Sequence, residues 1–256
     1  MSSRVAVVTG ANRGIGRAIA VALAADGFDV AVTARDPATL ADTVAEVEKA
    51  GGTAVALACD VRDEASVAAM ADAVAAIGPV HTVVANAGVA GPTGPLHEIT
   101  LDEWRDCVAT DLDGVFLTFR AFLPSMISAR AGSLIAISSM TGKRPLTGRT
   151  PYAASKMGVI GLVRTLALEL GPHGIRANSV CPGAVAGPRI EDVIRKQAAA
   201  RGISEDEALA VFTGSSPLGR LVEADEVART CAFLASDASA AITGEDVNVS
   251  AGVVMY

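Results

Sequence analysis

"RVAVVTGANRGIGRAIA", residues 4–20, reads as a buried strand, a glycine turn and a helix in immediate succession. The apolar run Val5–Val8 lacks polar alternates, which suits a strand covered on both faces. Gly10, Gly14 and Gly16 follow, and Ile15, Ile19 and Leu23 recur at helical spacing. Glycines permit a tight turn and close backbone approach, and the unpaired amides at a helix start favour an anion such as a pyrophosphate. The spacing G-x-x-x-G-x-G is not the commonest dinucleotide fingerprint, so the glycines alone leave a plain turn open; the strand directly before them favours a nucleotide.

Outward from this unit the pattern repeats. Apolar runs at 28–34, 52–59, 80–88, 133–139, 175–183 and 246–252 are six further strand candidates, and 14–26, 37–50, 63–76, 101–127, 152–170 and 224–236 are long enough for crossover helices. The expected fold is α/β: a doubly wound, Rossmann-like, seven-stranded parallel sheet flanked by helices. No repeat or linker divides the chain, so residues 1–256 read as one dinucleotide-binding and catalytic domain. A length of 256 residues with 51% hydrophobic residues suits one large core. A formal charge of −7 without a basic stripe argues against a nucleic-acid partner. No uninterrupted apolar run approaches a membrane span, no targeting pattern opens the chain, and the expectation is a soluble, cytoplasmic protein. Cys59, Cys107, Cys181 and Cys231 are scattered and read as buried thiols, while His81, His97 and His173 lack ligand spacing, so no metal site is expected.

The second strand bears on the cofactor. An NAD site places an acidic side chain at this strand's end for the ribose 2′-OH; here the position is Ala34, followed by Arg35, with Arg13 in the glycine turn. Two guanidiniums suit a 2′-phosphate, which favours NADP(H) and leaves NAD(H) open. Solvated loop charges are the plain alternative, and Asp36 offers a carboxylate that a ribose could meet. Asp60, ending the third strand, reads either as an acceptor for an adenine amino group or as a helix N-cap.

Tyr152 and Lys156 in "TPYAASKMG" lie four apart, on one helical face. At about 5 Å and an effective dielectric near 20, an ammonium attracts a phenolate by roughly 3 kcal/mol. Such a phenol can exchange protons with an alcohol or ketone near neutral pH. An ordinary helix with a half-buried Tyr and a surface Lys is the common reading of this spacing, so context decides. Upstream, a buried strand ends at Ser138 and Ser139, where open α/β sheets bind their ligands, and a hydroxyl there can orient a carbonyl.

"TGANRGIG", "ANAG" at 85–88, Ser139 and Tyr152-x-x-x-Lys156 stand in the order and spacing of the classical short-chain dehydrogenase/reductase family, and "GIRANSVCPG" and 216–244 extend the resemblance over nearly the full length. The resemblance implies an oxidoreductase that moves a hydride between NADP(H) and a ketone or secondary alcohol. Ser139 would bond the substrate oxygen, Tyr152 would be the acid/base, and Lys156 would hold the nicotinamide ribose and favour the phenolate. It also implies cofactor contacts at Gly10, Asn12, Arg13, Gly14, Ile15, Gly16, Arg35, Asp60, Val61, Asn86, Ala87, Gly88, Pro182, Gly183 and Val185, alongside Tyr152 and Lys156. The implied assembly is a homotetramer of packed long helices. Gly158 and Gly161 suit close helix contact, since each costs a helix about 1 kcal/mol relative to Ala.

Three positions depart from the family pattern. Asp111 replaces a mid-helix Asn whose backbone carbonyl holds a water; an ionised carboxyl near Lys156 would stabilise the ammonium and offset its pull on Tyr152. Gly187 stands where a Thr often contacts the cofactor, and Ser250, Ala251 and Gly252 replace Asp-Gly-Gly. Residues 183–217 read as a substrate cover of two short helices, the second opened by a capping box of Ser204 and Glu207. Within it, Ile190, Val193 and Ile194 read as packing, and Arg189, Arg195, Lys196 and Arg201 as a solvated face. Substrate choice falls to 90–97, 140–150 and 183–217. Two rivals stand beside the reductase: an NAD-dependent alcohol dehydrogenase of the same fold, and a dinucleotide-binding sensor or scaffold without turnover.

Overall fold

Strands and helices alternate along the chain because each apolar run, once paired, must be covered on both faces. The computed structural model describes residues 4–256. Its strands are β1 (Arg4–Thr9), β2 (Phe28–Ala34), β3 (Ala54–Ala58), β4 (Val80–Ala85), β5 (Gly132–Ile137), β6 (Ile175–Pro182) and β7 (Asp246–Val249). All pair in parallel, in the order β3-β2-β1-β4-β5-β6-β7. The chain winds outward in one direction from β1 and in the other from β4, so the crevice between them is the switch point where such sheets bind ligands.

Alternate side chains divide the core in two. Val5, Val7, Leu134 and Ala136 face one layer, with Phe119, Phe122 and Met126 of helix α5 (Gly114–Ala129) and Val159 and Val163 of α6 (Thr150–Leu170). Ala6, Val8, Ile135 and Ile137 face the other, with Ile19 and Leu23 of α1 (Gly14–Ala25) and Val227 and Leu234 of α9 (Ala224–Ala235). The edge strands β3 and β7 are only half-covered, so the expectation of seven fully buried strands holds for the central ones.

Two helices differ from the sequence expectation. Residues 37–50 split into a single 3-10 turn, capped by the Asp36 carboxylate accepting from the Ala38 N–H, and α2 (Ala41–Lys49). Residues 101–127 are α4 (Leu101–Val108), a π turn (Ala109–Asp113) and α5. The whole run 101–129 has the length and hydropathy of a membrane span, but its Phe119, Phe122 and Met126 stripe lies against the sheet. The remaining helices are α3 (Glu64–Ala75), α7 (Pro188–Arg201) and α8 (Glu205–Gly214).

The glycine turn is welded to the end of β4. A Cβ on Gly10 would come within 2.8 Å of the Ala87 Cα, and one on Gly16 would collide with the Gly10 carbonyl and the Asn86 amide. Gly214, by contrast, ends α8 in open space with an unstrained backbone. Gly16→Ala is therefore expected to lower unfolding free energy by about 1–3 kcal/mol, and Gly214→Ala to leave it unchanged or slightly raised. Urea titration of the two variants checks the contrast.

Candidate active site

Thr9 closes β1 and organises the crevice. Its buried Oγ1 accepts from the Asn86 and Ala87 N–H groups, each at 3.0 Å, while Asn86 Nδ2 donates to the Thr9 and Gly10 carbonyls at 2.8 and 3.1 Å. The side chain of Asn86 thus clamps the turn to β4. Arg13 takes the N-cap position of α1 without a side-chain cap bond, and no acidic residue lies in the first turn, so the helix start offers its amides to an anion. Gly14, at φ +54°, has open space where a side chain would sit.

The charges around this cradle sort themselves. Arg17 is engaged by Glu46, Asp42, Thr43 and the Asn12 carbonyl, and Arg62 by Asp60 and Asp106. Arg13 and Arg35 form no ion pair among the described residues. Asp36 Oδ1 accepts from the Ala38 N–H at 3.0 Å, at the start of the turn after β2. Asp60 does not cap a helix; Asp63 does, accepting from the Ala65 N–H at 2.9 Å. Asp60 meets Arg62 at 2.7 Å, and that hydrogen-bonded guanidinium holds its carboxyl below the usual range. Val61 fills the space left by Gly114.

Pro151 begins α6, where a missing N–H costs nothing and its φ suits a helix, and places Tyr152 in the first turn. One turn on, Lys156 is 4% exposed. Its Nζ lies 5.6 Å from the Tyr152 ring centroid and donates to the Ile137 carbonyl at 3.0 Å. The two serines divide their work. Ser138 Oγ donates to the Lys156 carbonyl at 2.9 Å, tying β5 to α6. Ser139 accepts from the Thr141 N–H at 3.0 Å, which leaves its own proton free to donate. Gly142 lets this turn approach: a Cβ there would sit 2.8 Å from the Lys156 carbonyl carbon.

Asp111 completes the cluster. The π turn, a feature common at functional sites, carries it inward to full burial, with Oδ1 accepting from the Val89 N–H at 2.7 Å and Oδ2 3.8 Å from Lys156 Nζ. Burial pushes its carboxyl above the usual range, against the opposing pull of Lys156. A Cβ on Gly88 would meet Asp111 Oδ1 at 2.9 Å, so only glycine fits beside the pair.

Residues 10–254 match the family model described as enoyl-(acyl carrier protein) reductase. The chain belongs to the short-chain dehydrogenase/reductase family. It is 40% identical over 253 residues to the cis-4-hydroxycyclohexanecarboxylate dehydrogenase of Sinomonas cyclohexanicum, covering 98% of this chain and 96% of that one. It superposes on a single-substitution variant of actinorhodin polyketide ketoreductase with NADPH at a TM-score of 0.95, with 38% identity, over 99% of this chain and 98% of that one. NAD+-bound xylitol dehydrogenase superposes at 0.93, with 28% identity, over 97% and 98%. The protein is an oxidoreductase acting on the CH–OH/C=O pair.

Besides Asp111, the positions that depart from the family pattern lie at the start of α7 and after β7. Gly187, at φ +130°, opens α7 as its N-cap. Ala251 adopts φ +51°, a left-handed conformation that glycine takes without strain, and Gly183 passes within contact of the Ser250 backbone. Pro182 closes β6, and Val185 bridges to Val222. Gly158 has an internal reason, since a Cβ there would press Leu112 at 3.0 Å; Gly161 meets nothing within the chain. In the cover, Ile190 and Ile194 pack with Ala198, Ala208 and Phe212 in a small core of its own, and Ser204 and Glu207 form the expected capping box. All four cysteines are free and buried, and no group of three or more His, Cys, Asp or Glu among the described residues is placed to hold a metal.

Arg149, which the sequence did not single out, places its guanidinium 4.9 Å from the Tyr152 ring centroid. Arg189 is exposed, as expected, and its guanidinium lies 5.8 Å from the same centroid. A signal existed: each stands at a helix N-terminus, where the dipole disfavours a cation.

Asp111→Asn keeps an acceptor for the Val89 N–H, and activity is expected to stay within about tenfold, roughly 1.4 kcal/mol of barrier. Stability distinguishes acid from amide. Because folding raises the Asp111 pKa, the folded wild type binds this proton more tightly than the unfolded chain. Its stability relative to Asp111→Asn therefore falls as pH climbs from below the ordinary aspartate value, about 3.9, through the raised one. Denaturant titrations of both proteins across that window check it; a pH-independent difference contradicts it.

Proposed function

We propose that the enzyme interconverts a ketone and a secondary alcohol with NADP(H), using Ser139, Tyr152 and Lys156. The observation that carries this reading is the fixed Lys156 ammonium, 5.6 Å from the Tyr152 ring and bonded to the Ile137 carbonyl. In reduction, Ser139 donates a hydrogen bond to the carbonyl oxygen and orients it. Tyr152 gives its proton to that oxygen as negative charge develops there, and Lys156 stabilises the phenolate left behind. In oxidation the same phenolate takes the proton back. Asp111, buried beside Lys156, holds the ammonium in place and moderates its charge.

The residues fit a dinucleotide. Gly10, Gly14 and Gly16 leave a side-chain-free cradle at the α1 N-terminus, with Asn12 and Ile15 in the same turn. Arg13 and Arg35, without an ion pair among the described residues, would meet a 2′-phosphate; Asp60 and Val61 would lie at the adenine, and Asn86, Ala87, Gly88, Pro182, Gly183 and Val185 would line the rest. The bound cofactor supplies or accepts the hydride at the carbonyl carbon. NAD(H) use is the second reading, carried by the NAD+-bound xylitol dehydrogenase neighbour. A sensor or scaffold without turnover gives no reason for a buried lysine aligned with a tyrosine at the crevice.

The partners follow: a small-molecule ketone or alcohol, and a second pair of helices. Phe116, Met157 and Leu168 expose apolar surface on α5 and α6, and Gly161 leaves open space among them, which supports a homotetramer packed through these helices. Four reduced, buried cysteines suit a cytoplasmic location, and the net charge of −7 suits neither nucleic acid nor an anionic membrane.

Tyr152→Phe should lower turnover of a reducible ketone by about 10²–10⁴-fold, the usual worth of a positioned acid; unchanged turnover defeats the mechanism. Arg35→Asp should weaken NADPH use about tenfold or more relative to NADH, in line with roughly 1.5–3 kcal/mol for a charged hydrogen bond. Steady-state kinetics with both cofactors reads it, and equal losses defeat the NADP(H) assignment.

A further inference from the structure

Three cations surround the Tyr152 ring, and only one of them has a counter-ion. Lys156 has Asp111 at 3.8 Å. Arg149 and Arg189, 4.9 and 5.8 Å from the ring centroid, form no ion pair with a carboxylate among the described residues. Arg149 is 5% exposed; its Nη2 donates to the Ala90 carbonyl and its buried Nε has no partner. Burial lowers its pKa, Tyr152 opposes that fall and the charge of Arg189 adds to it.

The placement of Arg149 is unfavourable without a ligand, whereas Arg189 stands beside it exposed to solvent. Arg149 is the N-cap residue of the 21-residue α6, whose first turn holds no acid, and Arg189 lies in the first turn of α7, which has Glu191. Each guanidinium adds positive charge to the positive end of a helix, and both lie near the one ring, 4.9 and 5.8 Å from its centroid. A guanidinium presents its donors in a planar fork matched to a carboxylate.

Resting on the ketone reductase reading above, we propose that the substrate carries a carboxylate, received by Arg149 and Arg189 beside the reacting carbonyl. The shared position of both guanidiniums and the phenol places acid and ketone in one compact molecule, an oxo-carboxylate or its hydroxy counterpart. A neutral ketone, or an acyl chain held as an uncharged thioester, would leave both arginines unmatched. A cofactor diphosphate is the other anion that the α7 N-terminus would attract, and the experiment separates the two.

The probe is a matched pair: 4-oxocyclohexanecarboxylate and its methyl ester, which differ by one charge. The acid should be reduced with a kcat/KM at least tenfold above the ester, chiefly through KM. Arg189→Ala and Arg149→Lys should each cut the acid-to-ester ratio about tenfold, and Arg189→Lys should restore part of it. Calorimetry with cyclohexanecarboxylate, which has no ketone, reads binding without turnover and should show an affinity that Arg189→Ala abolishes. Equal efficiency for acid and ester overturns the proposal. So does an Arg189→Ala protein that loses cofactor affinity while the ratio stays the same, which assigns this arginine to the diphosphate. Ketones reduced without preference for or binding of the acid sink this inference and leave the reductase reading intact; arginine-dependent carboxylate binding with no ketone turned over does the reverse.

Discussion

A buried ammonium governs this molecule. Lys156 has almost no access to water, and the Ile137 carbonyl and the Asp111 carboxyl stand where its hydration would be. Each replacement comes from a different part of the fold. Ile137 ends β5, Asp111 sits in a π turn between α4 and α5, and the lysine is one turn into α6. Three separate elements therefore meet at this point, where Asp111 also accepts from the Val89 N–H.

Close backbone approach is the means by which they meet. Gly88 passes beside the Asp111 and Lys156 pair, Gly142 lets the turn after β5 touch the α6 backbone, and Gly10 and Gly16 bring the first turn against β4. At each place a methyl group would occupy space already taken by backbone or by the charged pair. Hydrogen bonds then fix what the glycines allow: Thr9 with Asn86 and Ala87, Ser138 with the Lys156 carbonyl. The parallel sheet supplies the common origin, since every one of these contacts lies at the carboxyl ends of its strands.

The electrostatics divide the crevice into two regions. Among the described residues, Arg13 and Arg35 at the α1 end remain unpaired while Arg17 and Arg62 are engaged by acidic neighbours. At the Tyr152 end, Arg149 and Arg189 have no ion pair among the described residues while Lys156 has Asp111. These guanidiniums give the crevice local positive charge in a chain that is acidic overall.

The amino-acid sequence by itself determined the succession of strands and helices, the glycine turn, the tyrosine and lysine on one face, and the capping box at Ser204, because each depends on neighbours within a few residues. A strand's apolar run, a helix's period and a cap's hydrogen bond are local constraints, readable in order. Tertiary structure alone decided the rest. The π turn carries Asp111 to a lysine from another segment, and Gly158 makes room for Leu112 of the same chain. Arg149 and Arg189, forty residues apart, became neighbours of one ring only because two helix N-termini converge there. Charge and contact at that range follow from packing, and no periodicity in the chain encodes them.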